Sequence, residues 1–207
     1  HLRQQLRKNS AYIDVTDYGA GSAVIKTNRR RIDQIASSSL KPEKFARLLF
    51  RVVQFYKPDT IIELGTSFGI TTAYMASGNP AAKVCTLEGA DAIAGIAKQQ
   101  FKELALHNIE LLIGDFATTL PKVLSRPGSL SLAFVDGNHR KSPTLEYFEQ
   151  LLLKSSDETI LIFDDIHWSK EMEEAWESIQ ADGRVTLTID LFFIGLVWVN
   201  PSFKVKQ

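Results

Sequence analysis

The stretch Thr60-Ile61-Ile62-Glu63-Leu64-Gly65-Thr66-Ser67-Phe68-Gly69 decides the fold. A short, largely apolar run (60–64) stops at a glycine, and a segment of helical character follows at about 70–77. The same punctuation returns four times. The runs are Lys83–Leu87 before Glu88, Ile109–Ile113 before Gly114-Asp115, Leu130–Val135 before Asp136, and Thr159–Phe163 before Asp164-Asp165. Amphipathic stretches of helical length separate them, at about 91–106, 117–125, 143–154 and 169–180. Alternation of this kind predicts right-handed βαβ crossovers and a parallel sheet. The carboxyl ends of such strands share one edge, where ligands bind. Polar residues from five segments therefore converge on one cleft, as in an enzyme or a cofactor binder.

The flanks break the alternation. Downstream, Arg184–Asp190 and Phe193–Val199 are separated by too few residues for a crossover helix, so they should pair antiparallel. Upstream, Pro42 suits a first helical turn. Phe45, Leu48, Leu49, Val52, Val53 and Tyr56 then keep helical spacing as far as Lys57-Pro58. Residues 1–40 read as an N-terminal appendage of short helices and loops. Leu2 and Leu6 suggest a helix, Tyr12–Val15 an extended segment, and Arg31–Ser37 another helix. Asp17–Ser22 carries Gly19 and Gly21 and reads either as a flap that could act as a lid or as a plain turn.

Bulk properties narrow the function. The chain has 207 residues, which suits one domain with a short appendage, and 24 Lys+Arg balance 24 Asp+Glu. Balanced charge gives no support to a nucleic-acid or membrane partner. The Arg29-Arg30-Arg31 cluster reads as solvated charge. Cys85 is the one cysteine, so neither an intrachain disulfide nor a cysteine metal site is expected, and a buried, inert thiol is. The longest strongly apolar stretch, Leu191–Val199, is too short for a membrane helix. Its Phe192, Phe193 and Trp198 are expected in the core, with a homodimer the other use open to them. Cytoplasmic residence is the default expectation.

Gly65 and Gly69 permit close backbone approach to a ligand, but Glu63–Gly69 has neither the dinucleotide glycine pattern nor a P-loop. It resembles the E-x-G-x-x-x-G motif of class I S-adenosylmethionine-dependent methyltransferases, over roughly residues 42–199. The resemblance implies a Rossmann-like α/β fold with a seven-stranded, mostly parallel sheet, an antiparallel last strand and helices on both faces. Residues 41–207 would form the methyltransferase domain. It also implies that Glu63, Gly65, Thr66, Ser67, Gly69 and Asp136 lie about the cofactor, that Glu88 accepts the ribose hydroxyls, and that Asp115 and Phe116 sit by the adenine.

Asp136-Gly137-Asn138-His139 follows the fourth run and Asp164-Asp165-Ile166-His167-Trp168 the fifth. Clustered carboxylates raise one another's pKa unless a cation neutralises them, and oxygen-rich clusters suit Mg²⁺, Ca²⁺ or Mn²⁺. The layout is similar to metal-dependent O-methyltransferases of the catechol and macrolide-sugar types. That likeness implies Asp136, Asp164 and Asp165 as metal ligands, with Asp165 where the catechol type has Asn. His139 falls where that type has its lysine base. An imidazole there can take a proton at neutral pH, but the exchange makes a catechol acceptor doubtful. The segments 62–67, 134–139 and 163–169 resemble more closely those of uncharacterised bacterial class I methyltransferases, which carry no acceptor with them. The expected activity is S-adenosylmethionine-dependent O-methylation of a small-molecule acceptor, assisted by Mg²⁺ or another divalent cation, with Asp136 and His139 catalytic. The alternatives are a metallohydrolase built on Asp136, His139, Asp164 and His167, a cofactor-binding module without turnover, and a nicotinamide-dependent dehydrogenase.

Overall fold

The computed structural model describes residues 1–15 and 29–203. The Asp17–Ser22 segment lies outside the described residues. Nine strands and eight helices are described, opening with α1 (Leu2–Lys8), β1 (Tyr12–Asp14), β2 (Arg29–Arg31), α2 (Ile32–Ser39) and α3 (Glu43–Tyr56). Alternation follows as β3 (Thr60–Leu64), α4 (Ile70–Gly78), β4 (Lys83–Glu88), α5 (Asp91–Glu103), β5 (Ile109–Ile113), α6 (Phe116–Leu124), β6 (Leu130–Val135), α7 (Lys141–Leu152), β7 (Ser155–Asp164) and α8 (Lys170–Ala181). The chain then closes with β8 (Leu187–Asp190) and β9 (Ile194–Trp198).

Seven strands form one sheet in the order β5-β4-β3-β6-β7-β9-β8, and β9 runs antiparallel to both its neighbours. This is the Rossmann-like, mostly parallel sheet expected. Its central strands are buried on both faces, which explains their near-continuous apolar character. On one face Ile62, Leu64, Leu87 and Val135 pack with Leu120, Phe148, Leu151 and Trp176 from α6, α7 and α8. On the other Ile61, Val84, Leu132 and Ile162 pack with Phe45, Leu49, Val53 and Met75 from α3 and α4. A third cluster joins Leu6, Ile32, Ile35 and Leu40 to Phe68, Ile70 and Ile93, so the N-terminal segment packs beside the start of α4.

Several boundaries differ from expectation for local reasons. α5 stops at Glu103 because Ala105 turns left-handed (φ 52°) and Leu106 N–H donates back to Phe101 O at 2.9 Å. β7 starts at Ser155, four residues early, across an irregularity that pairs Leu130 with Ser155 but Leu132 with Ile160. The Thr159 hydroxyl bridges the gap by donating to Leu130 O at 2.6 Å. The arginine cluster is not merely solvated charge: β2 pairs with β1, Arg29 lies over the Tyr12 ring, and Arg31 pairs with Asp33. Trp198 is buried as expected, whereas Phe192 (62% exposed) and Phe193 (46%) are not core, because the β8–β9 turn lifts them off the sheet edge. Cys85 is buried, and its burial pushes the thiol up to about 11.

Candidate active site

The ends of β3, β4 and β6 lie level, with Leu64 paired to Leu87 and to Val135. Everything that follows them meets at one edge. After β3 the chain turns through Gly65 (φ 100°), Ser67 (φ 48°) and Gly69 (φ 76°), the last beginning α4. Gly65 is required: a Cβ there would stand 2.1 Å from the Asp136 carbonyl oxygen. The turns aim the Ser67 N–H at the Glu88 carboxylate (2.8 Å), while Ala90 N–H holds the other oxygen at 2.9 Å. Glu88, half-buried at the end of β4, is thus fixed beside the glycine loop.

Glu63 does not face the cleft. It is wholly buried under the loop, where Thr72 and Thr86 donate to one oxygen and the other has no partner among the described residues. The Thr86 hydroxyl also meets that of Thr66 at 2.6 Å, tying loop to strand. Burial pushes the Glu63 carboxyl up to about 8. Asp115 begins α6, its carbonyl accepting from Thr118 and Thr119 N–H. The Phe116 ring lies against Gly137, where a Cβ would come within 2.6 Å of it, and meets Tyr147 edge-on at 6.0 Å.

The ends of β6 and β7 carry the second half of the site. His139 Nε2 stands 3.7 Å from Asp136 and 3.8 Å from Asp165. Asp165, at φ 52°, is held by its own N–H on Phe193 O (2.7 Å). Asp136, His139 and Asp165 each present a ligand-type atom, all within 4.8 Å of one another. Burial raises the Asp136 pKa, with Lys41 and His139 opposing it. Asp164 is not part of that trio. It is 1% exposed and in direct contact with Lys41 Nζ, which also lies 3.5 Å from Asp136.

Lys41 escaped the sequence reading, since a single lysine before a proline carries no pattern. Its side chain is only 8% exposed, in the α2–α3 connection, with Nζ 5.9 Å from the Phe134 ring centroid. Arg3 of α1 donates to its carbonyl at 2.5 Å. The ammonium bears on the metal set expected at Asp136, Asp164 and Asp165. It already bridges two of the three carboxylates, so the residues as placed do not fit a divalent ion among them. His167 is likewise drawn away, with Nε2 2.9 Å from Asp190 and its ring stacked on Phe192. A hydrolytic centre using His139 and His167 together would need both in one cluster. Ser169 caps α8, accepting from Met172 N–H at 3.3 Å. A cavity of about 490 Å³ opens at the opposite edge of the sheet, where the Glu110–Arg126 pair satisfies itself.

The fold is Rossmann-like, and at this edge a glycine-turned loop and an acid at the second strand end lie with a histidine set among carboxylates. The comparisons give the family. Residues 62–166 match the profile of a methyltransferase domain, about half of the chain, and the protein belongs to that family. Over 158 residues, 74% of this chain and 69% of the relative, it is 27% identical to a catechol O-methyltransferase of Niastella koreensis. Among solved structures, the O-methyltransferase from Bacillus cereus in complex with SAH superposes with a TM-score of 0.67 at 23% identity, over 78% of this chain and 83% of that one. The O-methyltransferase TomG of Streptomyces achromogenes, in complex with SAM, gives 0.66 at 21%, over 78% and 82%. No helix among the described residues is long and apolar enough to cross a membrane.

Proposed function

We propose that the protein transfers a methyl group from S-adenosylmethionine to a hydroxyl oxygen of a small-molecule acceptor. The observation that carries this reading is the joining of the two halves at Gly65, whose Cβ position is filled by the Asp136 backbone. It brings the cofactor loop against the strand end that bears Asp136 and leads to His139. The O-methyltransferase relative supports oxygen as the acceptor atom.

Bound cofactor supplies an electrophilic methyl carbon on a sulfonium. Glu88 receives the ribose hydroxyls, with its carboxylate already oriented by Ser67 and Ala90 N–H. Thr66 and Gly69 shape the loop, and Asp115 and Phe116 border the neighbouring end of the cleft. His139 Nε2 takes the acceptor's hydroxyl proton, and Asp136 and Asp165 stabilise the imidazolium that forms. With the cofactor held by these residues, its sulfonium methyl would pass to the deprotonated acceptor oxygen, with the thioether as the leaving group. The cleft contributes by holding the two reactants in line. Trp168, 61% exposed and 5.8 Å from the His139 ring, offers a flat apolar wall. That lining suits a planar, aromatic acceptor. The N-terminal segment reaches the cleft through Ser39, whose hydroxyl meets that of Ser67 at 3.0 Å, and so helps to cover it.

Calorimetric titration with S-adenosylmethionine and S-adenosylhomocysteine tests the cofactor, with Glu88→Ala as control. Micromolar binding lost in the variant is expected; a folded protein that binds neither sinks the reading. Methyl transfer to a panel of phenols, followed by thioether release, then tests the acceptor. His139→Ala should lose most of kcat with its thioether affinity intact.

A further inference from the structure

In a site of this layout the carboxylates at the ends of β6 and β7 need a positive charge, and here the chain brings its own. We infer that the Lys41 ammonium is the resident cation of the acceptor half, standing in place of a divalent ion, so that methyl transfer requires no divalent metal. The inference rests on the methyltransferase reading and adds how that site is charged.

Three observations carry it. Lys41 Nζ contacts the Asp164 carboxylate and lies 3.5 Å from Asp136, so it bridges the last residue of one strand and the first residue after the other. Asp164 is 1% exposed and Lys41 8%, so neither charge has water to fall back on. A buried carboxylate of this kind persists only when paired. The ammonium is also built in, not swung in from the surface. Its backbone is held by Arg3 at one carbonyl, Pro42 follows it and restricts its backbone, and its tip lies by the Phe134 ring. A divalent ion among Asp136, Asp164 and Asp165 would face this ammonium at close range in a poorly solvated pocket, where like charges repel strongly. The half-buried trio of Asp136, His139 and Asp165 shares Asp136 with Lys41, so an ion there would compete for the same carboxylate.

The test is binding of Mn²⁺, read by the paramagnetic resonance of the free ion, in the presence of saturating S-adenosylhomocysteine. Wild type, Lys41→Met and Lys41→Arg are compared, each with its fold checked by circular dichroism. Wild type and Lys41→Arg should leave Mn²⁺ free. Lys41→Met, which uncovers the carboxylates, should bind one Mn²⁺ about tenfold or more tightly than wild type. Lys41→Gln, which keeps a polar tip between the acids, replaces Lys41→Met if the latter does not fold. Stoichiometric Mn²⁺ binding by wild type, through Asp136, His139 and Asp165, overturns the inference, as does a folded Lys41→Met or Lys41→Gln that binds no more tightly than wild type. Failure of S-adenosylhomocysteine to bind the metal-free wild type is a separate result. It removes the methyltransferase reading, and this inference with it.

Discussion

The two halves of the cleft settle their carboxylates in opposite ways. On the cofactor side, Glu88 is held by N–H groups of Ser67 and Ala90, backbone donors that any side chains at those positions would supply. On the acceptor side, Asp164 and Asp136 are held by the ammonium of Lys41, far away in sequence and itself anchored by α1. A backbone-held acid depends on the path of one loop. A lysine-held acid depends on one side chain, and on the packing of a whole appended segment. Substitution should therefore damage the acceptor half by exposing buried charge, and the cofactor half by altering the course of its loop.

The largest effect follows from breaking the lysine-held pair. Asp164→Ala leaves Lys41 buried with Asp136 as its remaining partner, and should cost about 3–5 kcal/mol in urea denaturation. Gly65→Ala should come next, at about 2–4 kcal/mol. Its Cβ would meet backbone, not a side chain that can move, and φ 100° is closed to alanine. Because that contact joins the halves, the same variant should also weaken thioether binding. Equal stability of Gly65→Ala and wild type would mean that the halves are not wedged together there.

The contrast also decides what could be read from sequence. The alternation of apolar runs and amphipathic stretches is local and periodic, and the seven-stranded sheet follows from it. Glu88, Asp115, Asp136 and Asp164 all fall at strand ends, so their arrival at one edge was legible too. What stayed hidden depends on tertiary partners. Lys41 looked like any charged residue before a helix, because burial of its tip arises only when α1 and α2 pack beside the cleft. Glu63 reads as a ligand-facing acid in the glycine motif, yet strand alternation turns it inward with Ile61, under α4. Phe192 and Phe193 read as core because they are apolar. A left-handed Phe192 (φ 70°) in the β8–β9 turn leaves them at the surface instead.

Within the cofactor half, Glu88→Ala removes the acceptor for two hydroxyls and should weaken S-adenosylhomocysteine about 100-fold, from two charge-assisted hydrogen bonds. Glu88→Gln, which keeps one acceptor oxygen, should lose less. Glu63→Gln probes the buried acid underneath. The folded carboxyl, raised to about 8, holds its proton where the unfolded chain, near 4.5, has lost it. Stability from this residue is therefore whole below about pH 4.5 and falls as pH rises toward 8, beyond which it changes no further. A glutamine has no such loss. The stability of Glu63→Gln relative to wild type should grow across that window by several kcal/mol, up to about 5, seen in thermal melts at stepped pH. A gap that does not change with pH would mean that Glu63 is ionised in the fold.

The smallest effect belongs to the rim of the acceptor half, where the charge pair is open to solvent. The hydrogen bond to Asp190 raises the His167 pKa above 6.5, and the Phe192 ring stacks on it. Partial burial disfavours the Asp190 carboxylate, but hydrogen bonds from His167, Phe192 N–H and Trp176 outweigh it and lower its pKa. The pair is thus charged between the lowered carboxylate range and the raised imidazole value. Its contribution is fully present just below pH 6.5 and is lost as pH rises through the folded His167 value. Solvent screens it, so His167→Gln should cost about 0.5–1 kcal/mol near pH 5.5 and close to nothing at pH 9. Because Trp176 also donates to Asp190, the histidine variant leaves that carboxylate partnered, and Asp190→Asn should cost more than His167→Gln at every pH. The reverse order would place the anchor of the β8–β9 turn on the histidine, and make this rim lysine-like in its dependence on a single side chain.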